Sequence, residues 1–529
     1  MQIRIKNFRS FKDTGFIDIK PITILIGKNS AGKSSFIRTF PMLKQSVEEK
    51  TRSPILLYGN YVDFGSYKDI KPHFNNDNDS YELNFILNKD IFNEINRYRR
   101  FNRYGYGYVK HYTKESFFDI GFNLKFEEDK KNVLHIKEIG LKFLNNEVKI
   151  FLNYSKKQVE DISINSNIII NTSHNIKFID RGDFLFEFYQ ADTKNEDRMS
   201  RRFSLEALLQ KLILNEISKY VHGRTEDETK WNIIEGIQIS NDTSILEQMT
   251  KKYPSSWYSN VSKWTTKHIQ FQTIKNLLIV HEVVNSYLYA INNYMKYLFL
   301  NINYIAPLRA TAERYYRIQH LAVNEVDPNG KNLPFFLDSL TDGQDEDFKN
   351  WTNENFGFKV NISKSEGHYS IKIIHEDKYE TNLSDMGFGY SQILPILTQL
   401  WYSSSKYNRL NNRIPYNRYI EKIIVIEQPE LHLHPEFQAK FTDVITKVIQ
   451  NAEKNRIKLR LLIETHSDVI INRLGDSILE NEINADDINI VIFNKETENT
   501  PTNIEFSKFD SDGNLLNWPL GFFQPSMRK

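Results

Sequence analysis

The stretch Gly27-Lys28-Asn29-Ser30-Ala31-Gly32-Lys33-Ser34 constrains the fold more than any other part of the chain. It follows PITILIG (21–27), a nearly continuous apolar run, and leads into SSFIRTFPMLKQSVEE (34–49), where apolar residues recur at helical spacing. Strand, glycine-paced loop and helix in that order call for a βα unit within a parallel sheet. Pro41 should kink or shift the helix, because it has no N–H and its ring collides with the carbonyl four residues earlier. The loop glycines let successive backbone N–H groups wrap an anionic phosphate. Lys33 then reaches the outer phosphates, the Ser34 hydroxyl can ligate Mg2+, and the expected nucleotide-binding run extends from Gly27 through Ser35. ATP and Mg2+ are the expected cofactors.

Such a loop needs a second strand that brings an acid to the metal. EKIIVIEQPELHLHP (421–435) supplies one, with Glu427 at the end of the apolar run, placed for Mg2+ or its water. The next residue is Gln428, where a hydrolysing site calls for a second acid; an amide positions water but cannot accept its proton. A third apolar run, KLRLLIETHSD (458–468), ends at His466, which could touch the γ-phosphate or the attacking water. Glu427, Gln428, Glu430 and His466 are therefore the candidate catalytic residues. His432 and His434, taken with His466, could suggest zinc, but no further ligands stand at metal-binding spacing.

The chain has 529 residues, enough for two or three lobes, with 69 Lys plus Arg against 67 Asp plus Glu. A net charge of +2 gives no global pull on nucleic acid, so any basic surface must be local. Cysteine is absent, which excludes disulfides and thiolate chemistry and fits a reducing, cytoplasmic setting. The opening MQIRIKNFRSF lacks the apolar core of an export signal, and NLLIVHEVV (276–284) and YLFLNINYIAPL (297–308) are too short or interrupted to span a bilayer.

Buried-strand patterns return after residue 300 in NINYIAPL (301–308) and INIVIFN (488–494), separated by helical stretches. Between them and the first strand lies a segment of different texture, with Tyr/Phe-rich strand patterns to about residue 190 and then helical patterns such as 204–221 and 273–299. The expected fold is α/β: a head built from 1–80 and 301–529, split by an inserted α+β and then helical domain over 81–300. Sustained apolar heptads are missing, which argues against a long coiled-coil arm.

Together, IKNFRSF, GKNSAGKS, the Glu-x-Pro-Glu-x-His-Leu-His-Pro run and Thr-His-Ser-Asp resemble the ABC-type ATPases related to SMC proteins and to the overcoming-lysogenization-defect family. NLSDMGFGYSQILPIL (382–397) looks like that family's divergent signature motif, which implies that Ser384, Gly387, Gly389, Ser391 and Gln392 act in trans on the γ-phosphate of a second subunit. Read without the family, the same segment could equally be a glycine-containing helix start. YIAPLRATAERYY (304–316) and NWPLGFF (517–523) narrow the likeness to bacterial ATPases of anti-phage defence, of the PtuA type found in Septu and retron-associated systems. The resemblance implies an ATP-sandwiched homodimer, higher assembly, a separate effector nuclease of HNH type, and DNA or a nucleic-acid-containing complex as the trigger. It covers about 1–75 and 300–529.

INRYRRFNRYGYGYVKHYTK (95–114) interleaves Arg97, Arg99, Arg100 and Arg103 with tyrosines, the mixture of cations and flat rings that strand binding uses. The alternative is a solvated loop or hairpin whose rings pack on their own lobe. Arg309 and Arg314 in PLRATAERYYR (307–317) are the second candidate nucleic-acid contact, against structural ion pairing.

Overall fold

The computed structural model describes residues 1–49, 51, 53–74, 80–129, 132–180, 183–191, 198–252, 254–319, 323–375, 379–407, 419–497 and 499–518, except for 102–116, with residues 97–101 and 198–204 described in backbone only. By its contacts the chain divides into two compact units. The first comprises residues 1–7, 46–56 and 76–297, the second residues 8–45, 57–75 and 298–529.

The first unit carries an antiparallel meander. Its strands run Gln2–Phe8, Tyr81–Leu87, Ile120–Glu128, Leu134–Phe143, Asn146–Asn153, Gln158–Ile164, Ile176–Ile179 and Glu187–Gln190, each beside the next. Burial alternates along Tyr81–Leu87 and Ile120–Glu128, the signature of a sheet with one face in the core. Helices follow, from Arg198–Ile217 to Ile269–Glu282 and Leu288–Leu300, the last two joined by a π turn at Val283–Tyr287. Strands thus precede helices in this unit, which also takes in residues 1–7 and 46–56, placed in the head by the sequence reading.

The second unit is built on a seven-stranded sheet in the order Ile302–Ile305, Ile420–Glu427, Ile457–Glu464, Ile22–Gly27, Ile488–Asn494, Asn503–Phe509, Leu515–Leu516. The first five strands are parallel. Every residue of Ile22–Gly27 and of Ile420–Glu427 is buried, because helices such as Pro435–Lys454 and Asp468–Leu479 cover the sheet and leave no polar face to the strands. Continuous apolar runs are what such strands require. The Ile22–Gly27 strand sits between Ile457–Glu464 and Ile488–Asn494, with Ile24 opposite both Ile463 and Ile490. The sheet therefore closes only when the two ends of the chain meet, a slow, non-local pairing.

The helix after the loop is interrupted where proline chemistry demands. It runs Lys33–Ile37 and resumes as Thr39–Glu48, and the residue four before Pro41 is Ile37.

A partly buried polar cluster lies beside the same sheet. The Lys44 ammonium lies 2.5 and 2.7 Å from the Glu325 carboxylate oxygens, and Asn303 and Tyr61 also donate to that carboxylate. Lys422 is buried nearby, and burial pushes its pKa down to about 8, against a partial lift from Glu325. Between about pH 8 and the unfolded value of 10.5 the unfolded chain binds more protons here, so stability rises with pH across that window. Lys422→Met should remove this slope and raise stability at pH 7 by on the order of 2 kcal/mol, since Lys44 alone still balances Glu325. Thermal melts of the two proteins between pH 7 and 10.5 test this; a lower melting temperature for the variant at pH 7 would refute it.

Candidate nucleotide site

In a parallel sheet the C-terminal strand ends share one edge, and the candidate residues collect there. Gly27 ends its strand at φ 154°, where an added Cβ would lie 2.4 Å from the Phe493 carbonyl oxygen. Gly32 precedes the helix at φ 99°, where a Cβ would strike Ser10 Oγ at 2.4 Å and the Phe11 ring. Both positions exclude a side chain, and between them Lys28, Asn29 and Ser30 are exposed while Ala31 is buried. The loop thus presents main chain to solvent at the sheet edge.

Lys33 is 3 % exposed, and its ammonium donates to the carbonyls of Gly27 at 2.8 Å and Lys28 at 3.0 Å. Its pKa is lowered mainly by burial and lifted in part by Glu464, whose carboxylate lies 3.9 Å away. The Ser34 hydroxyl sits 3.1 Å from both oxygens of that same carboxylate. Ser35 is half-buried on the same helix, where its carbonyl accepts from the Thr39 hydroxyl.

The sheet register places Glu464 directly opposite Glu427. Glu427 was expected to share the metal with Ser34, yet here its carboxylate accepts from Arg38 Nε and Nη2, each at 2.8 Å, and from the Tyr304 hydroxyl at 2.7 Å. A bidentate guanidinium pair in a buried setting is a strong contact. Arg38 is held protonated well above its usual range chiefly by this bond, and Tyr304 is raised first by burial and then by Glu427. Glu464 is pushed up to about 7, by burial first and by the facing Glu427 second, with Lys33 and Ser34 opposing.

Gln428 turns away from the strand at φ 45°, its N–H donating to the Glu464 carbonyl at 2.8 Å. Glu430 accepts from the Thr465 hydroxyl at 2.9 Å and the His466 N–H at 2.7 Å, which ties the two strand ends together. Burial raises its pKa, and those bonds oppose the rise. The His466 side chain reaches solvent, yet partial burial and then the Lys33 charge lower its pKa, which favours the neutral, proton-accepting imidazole.

The signature-like residues divide. Ser384 lies in the turn Leu383–Asp385, bonded to Asn382, and Gly387 starts the helix Phe388–Ser404 at the surface. Gly389 packs under the His432 carbonyl, while Ser391 and Gln392 are buried within their own unit, Gln392 bonded to the main chain of Arg309. These two are therefore not at the surface where a second subunit would meet them.

Arg309 departs from its expected role as a nucleic-acid contact. It is 5 % exposed and donates to the carbonyls of Glu427 and Gln428, because the chain after Ile302–Ile305 folds inward across the sheet edge. Arg314 is exposed and paired with Asp385. Arg97, Arg99 and Arg100 lie on helix Ile91–Phe101 without described side chains, and Arg103, with the rest of the stretch to 116, lies outside the described residues.

Three residues at the edge were not anticipated from sequence: Glu464, Arg38 and Tyr304. The first had a visible signal, since RLLIE (460–464) ends an apolar run on an acid just as IIVIE (423–427) does. Hard oxygen donors converge here, the Ser34 hydroxyl and two carboxylates in register, next to a lysine whose ammonium meets, among the described residues, two neutral carbonyls and one shared acid. That set fits a magnesium-bound polyphosphate. When bound, magnesium would neutralise phosphate charge beside Ser34 and Glu464.

Among the described residues no helix is long and apolar enough to cross a membrane. No curated protein matches the sequence. Solved structures similar to it include the SMC head domain from Thermotoga maritima, at 8 % identity and TM-score 0.31 over 96 % of this chain and 97 % of that one. Another is the Smc head domain with an extended coiled coil bound to the C-terminal domain of ScpA, from Pyrococcus furiosus, at 9 % identity and TM-score 0.32 over 96 % and 95 %. The family model described as an AAA ATPase domain, AAA_15, matches residues 1–471, and the chain belongs to that ATPase family.

Proposed function

We propose that the chain is a nucleotide-gated switch that holds ATP longer than it takes to bind it, and hydrolyses it slowly. The observation that carries this reading is the engagement of each carboxylate at the sheet edge. Glu427 is committed to Arg38 and Tyr304, Glu430 to Thr465 and His466, and Glu464 to Ser34 and Lys33, while the residue that follows Glu427 is an amide. A slow site lets bound ATP stabilise a closed state by mass action, with hydrolysis as the timer. The closed state is a homodimer with each ATP held between the phosphate loop of one copy and the exposed helix start at Gly387 of the other, and it licenses a separate effector nuclease, of HNH type by the PtuA likeness, in cytoplasmic anti-phage defence. An SMC-like clamp is the competing reading. It needs long arms, and the longest unbroken helical run among the described residues is 269–300, 32 residues with a π turn in its middle, without sustained apolar heptads.

The test is ATP turnover by the purified chain, with and without DNA, alongside its mass with and without ATP. Slow turnover with ATP-dependent dimerisation is the expected result. Fast, DNA-stimulated turnover would favour a clamp, and DNA cleavage by the chain alone would make it the nuclease itself.

Glu464 belongs in this scheme as a metal-side acid. Glu464→Gln should reduce the gain in ATP affinity conferred by Mg2+ by about tenfold, the worth of one charge-assisted contact. Nucleotide titrations with and without Mg2+ measure it, and an undiminished gain would leave the metal to Glu427.

A further inference from the structure

Arg309 is almost wholly buried, yet Nε and Nη1 of its guanidinium find no hydrogen-bond partner among the described residues. Only Nη2 is engaged, donating to the Glu427 carbonyl at 2.6 Å and the Gln428 carbonyl at 3.2 Å. A buried cation with two orphaned donors is costly to keep, and a packing role would be served as well by an apolar side chain of the same size. Burial pushes its pKa down to about 10, while Glu430 and Glu427 favour the charged form. What the charge secures is the turn that carries Gln428, held at φ 45° in the left-handed region that a non-glycine residue seldom occupies.

The main chain of the same residue is clamped from the other side. The Arg309 N–H donates to Gln392 Oε1 at 3.4 Å, and its carbonyl accepts from Gln392 Nε2 at 3.2 Å. Gln392 is 1 % exposed and lies in the opening turns of Phe388–Ser404, whose start at Gly387 and Phe388 reaches solvent. One residue therefore joins that helix to the Glu427–Gln428 turn, with an amide gripping its backbone and a rigid guanidinium gripping two carbonyls.

We propose that Arg309 is a positioning residue that couples the exposed start of helix Phe388–Ser404 to the water-orienting Gln428. A second copy of this chain pressing on Gly387 and Phe388 moves the helix, Gln392 moves with it, and Arg309 Nη2, bonded to both carbonyls, resets the turn. This rests on the nucleotide-switch reading and adds to it the route by which assembly reaches the site.

The test uses the full chain with Gln392→Met, which deletes both clamp bonds at similar volume, Arg309→Lys, which keeps the charge but on a shorter stem that loses the reach and planar geometry of Nη2, and the double variant. Each single change should lower kcat about tenfold with the ATP dissociation constant altered by less than about twofold, since the turn is misplaced while the phosphate loop is untouched. The double variant should be no slower than the worse single one, because both changes cut the same link. Multiplying losses, or ATP affinity falling in step with kcat, would overturn the relay and leave Arg309 a structural residue. If Gln392→Met does not fold, Arg309→Lys decides alone by the same split between kcat and affinity. A wild-type chain that neither binds nor cleaves ATP would instead remove the switch reading itself, an outcome distinct from variants that match an active wild type.

Discussion

Lys33→Ala should weaken ATP binding by about 100-fold or more while leaving the fold intact. The ammonium is sealed at the base of the loop, 2.8 and 3.0 Å from the Gly27 and Lys28 carbonyls. Those neutral acceptors are readily exchanged for the oxygens of a polyphosphate, which form charge-assisted bonds worth roughly 1.5 to 3 kcal/mol each. Two such bonds account for the expected loss. Lys33 also offsets Glu464, which burial and Glu427 already push up to about 7; without the lysine that carboxyl rises further and takes up a proton instead of repelling phosphate. The substitution should therefore spare stability, because a lysine whose own pKa is lowered by burial contributes little to holding the fold. A fluorescent-nucleotide titration beside a thermal melt reads both quantities. ATP affinity within about threefold of the parent would mean that the loop does not hold the phosphates, and the nucleotide reading would fall with it.

The strand, glycine-paced loop and helix around Lys33 were legible because they are local. Strand, turn and helix lie within about thirty residues, and each carries its own signal: the apolar run to Gly27, the glycines that no Cβ can replace, and the helical spacing after Lys33. The other parallel strands were legible for the same reason, since burial on both faces leaves no choice but continuous apolar residues, as in IIVI before Glu427.

What was hidden depends on register and on approach between distant segments. Glu464 pairs with Ser34 across 430 positions of sequence and faces Glu427 only because two strands align at their last residues. Arg38 reads as one more polar residue on an amphipathic helix until its guanidinium meets a carboxylate 389 positions away. Arg309 was misplaced for a related reason: PLRATAER has the polarity of a surface loop, and nothing within it reveals that two carbonyls and a glutamine amide await the side chain and main chain indoors. Composition describes average surroundings, and a buried cation is by nature an exception to them.

Gln428→Glu should raise ATP turnover by about 100-fold or more, the contribution of a positioned general base. The backbone at 428 is fixed from both sides, its N–H on the Glu464 carbonyl and its own carbonyl on Arg309, so exchanging amide for carboxylate alters the head group and little else. The new acid would stand half-buried and next in the chain to the acid Glu427, two features that raise a carboxyl's pKa toward neutrality and so toward the best value for taking a proton from water. Turnover in the variant should then fall on acidification as that carboxyl protonates, a limb the amide of the parent cannot produce. The ATP-held dimer should dissociate sooner in proportion. Single-turnover cleavage across pH 5 to 9 reports the rate and the limb together. An unchanged rate would mean that water is already deprotonated by a group in place, and the neutral imidazole of His466, kept below its usual pKa by burial and Lys33, is the one poised to do it. In that case His466→Ala, rather than any change at 428, is the substitution that stops hydrolysis, and ATP would be held by slow product release instead of a missing base.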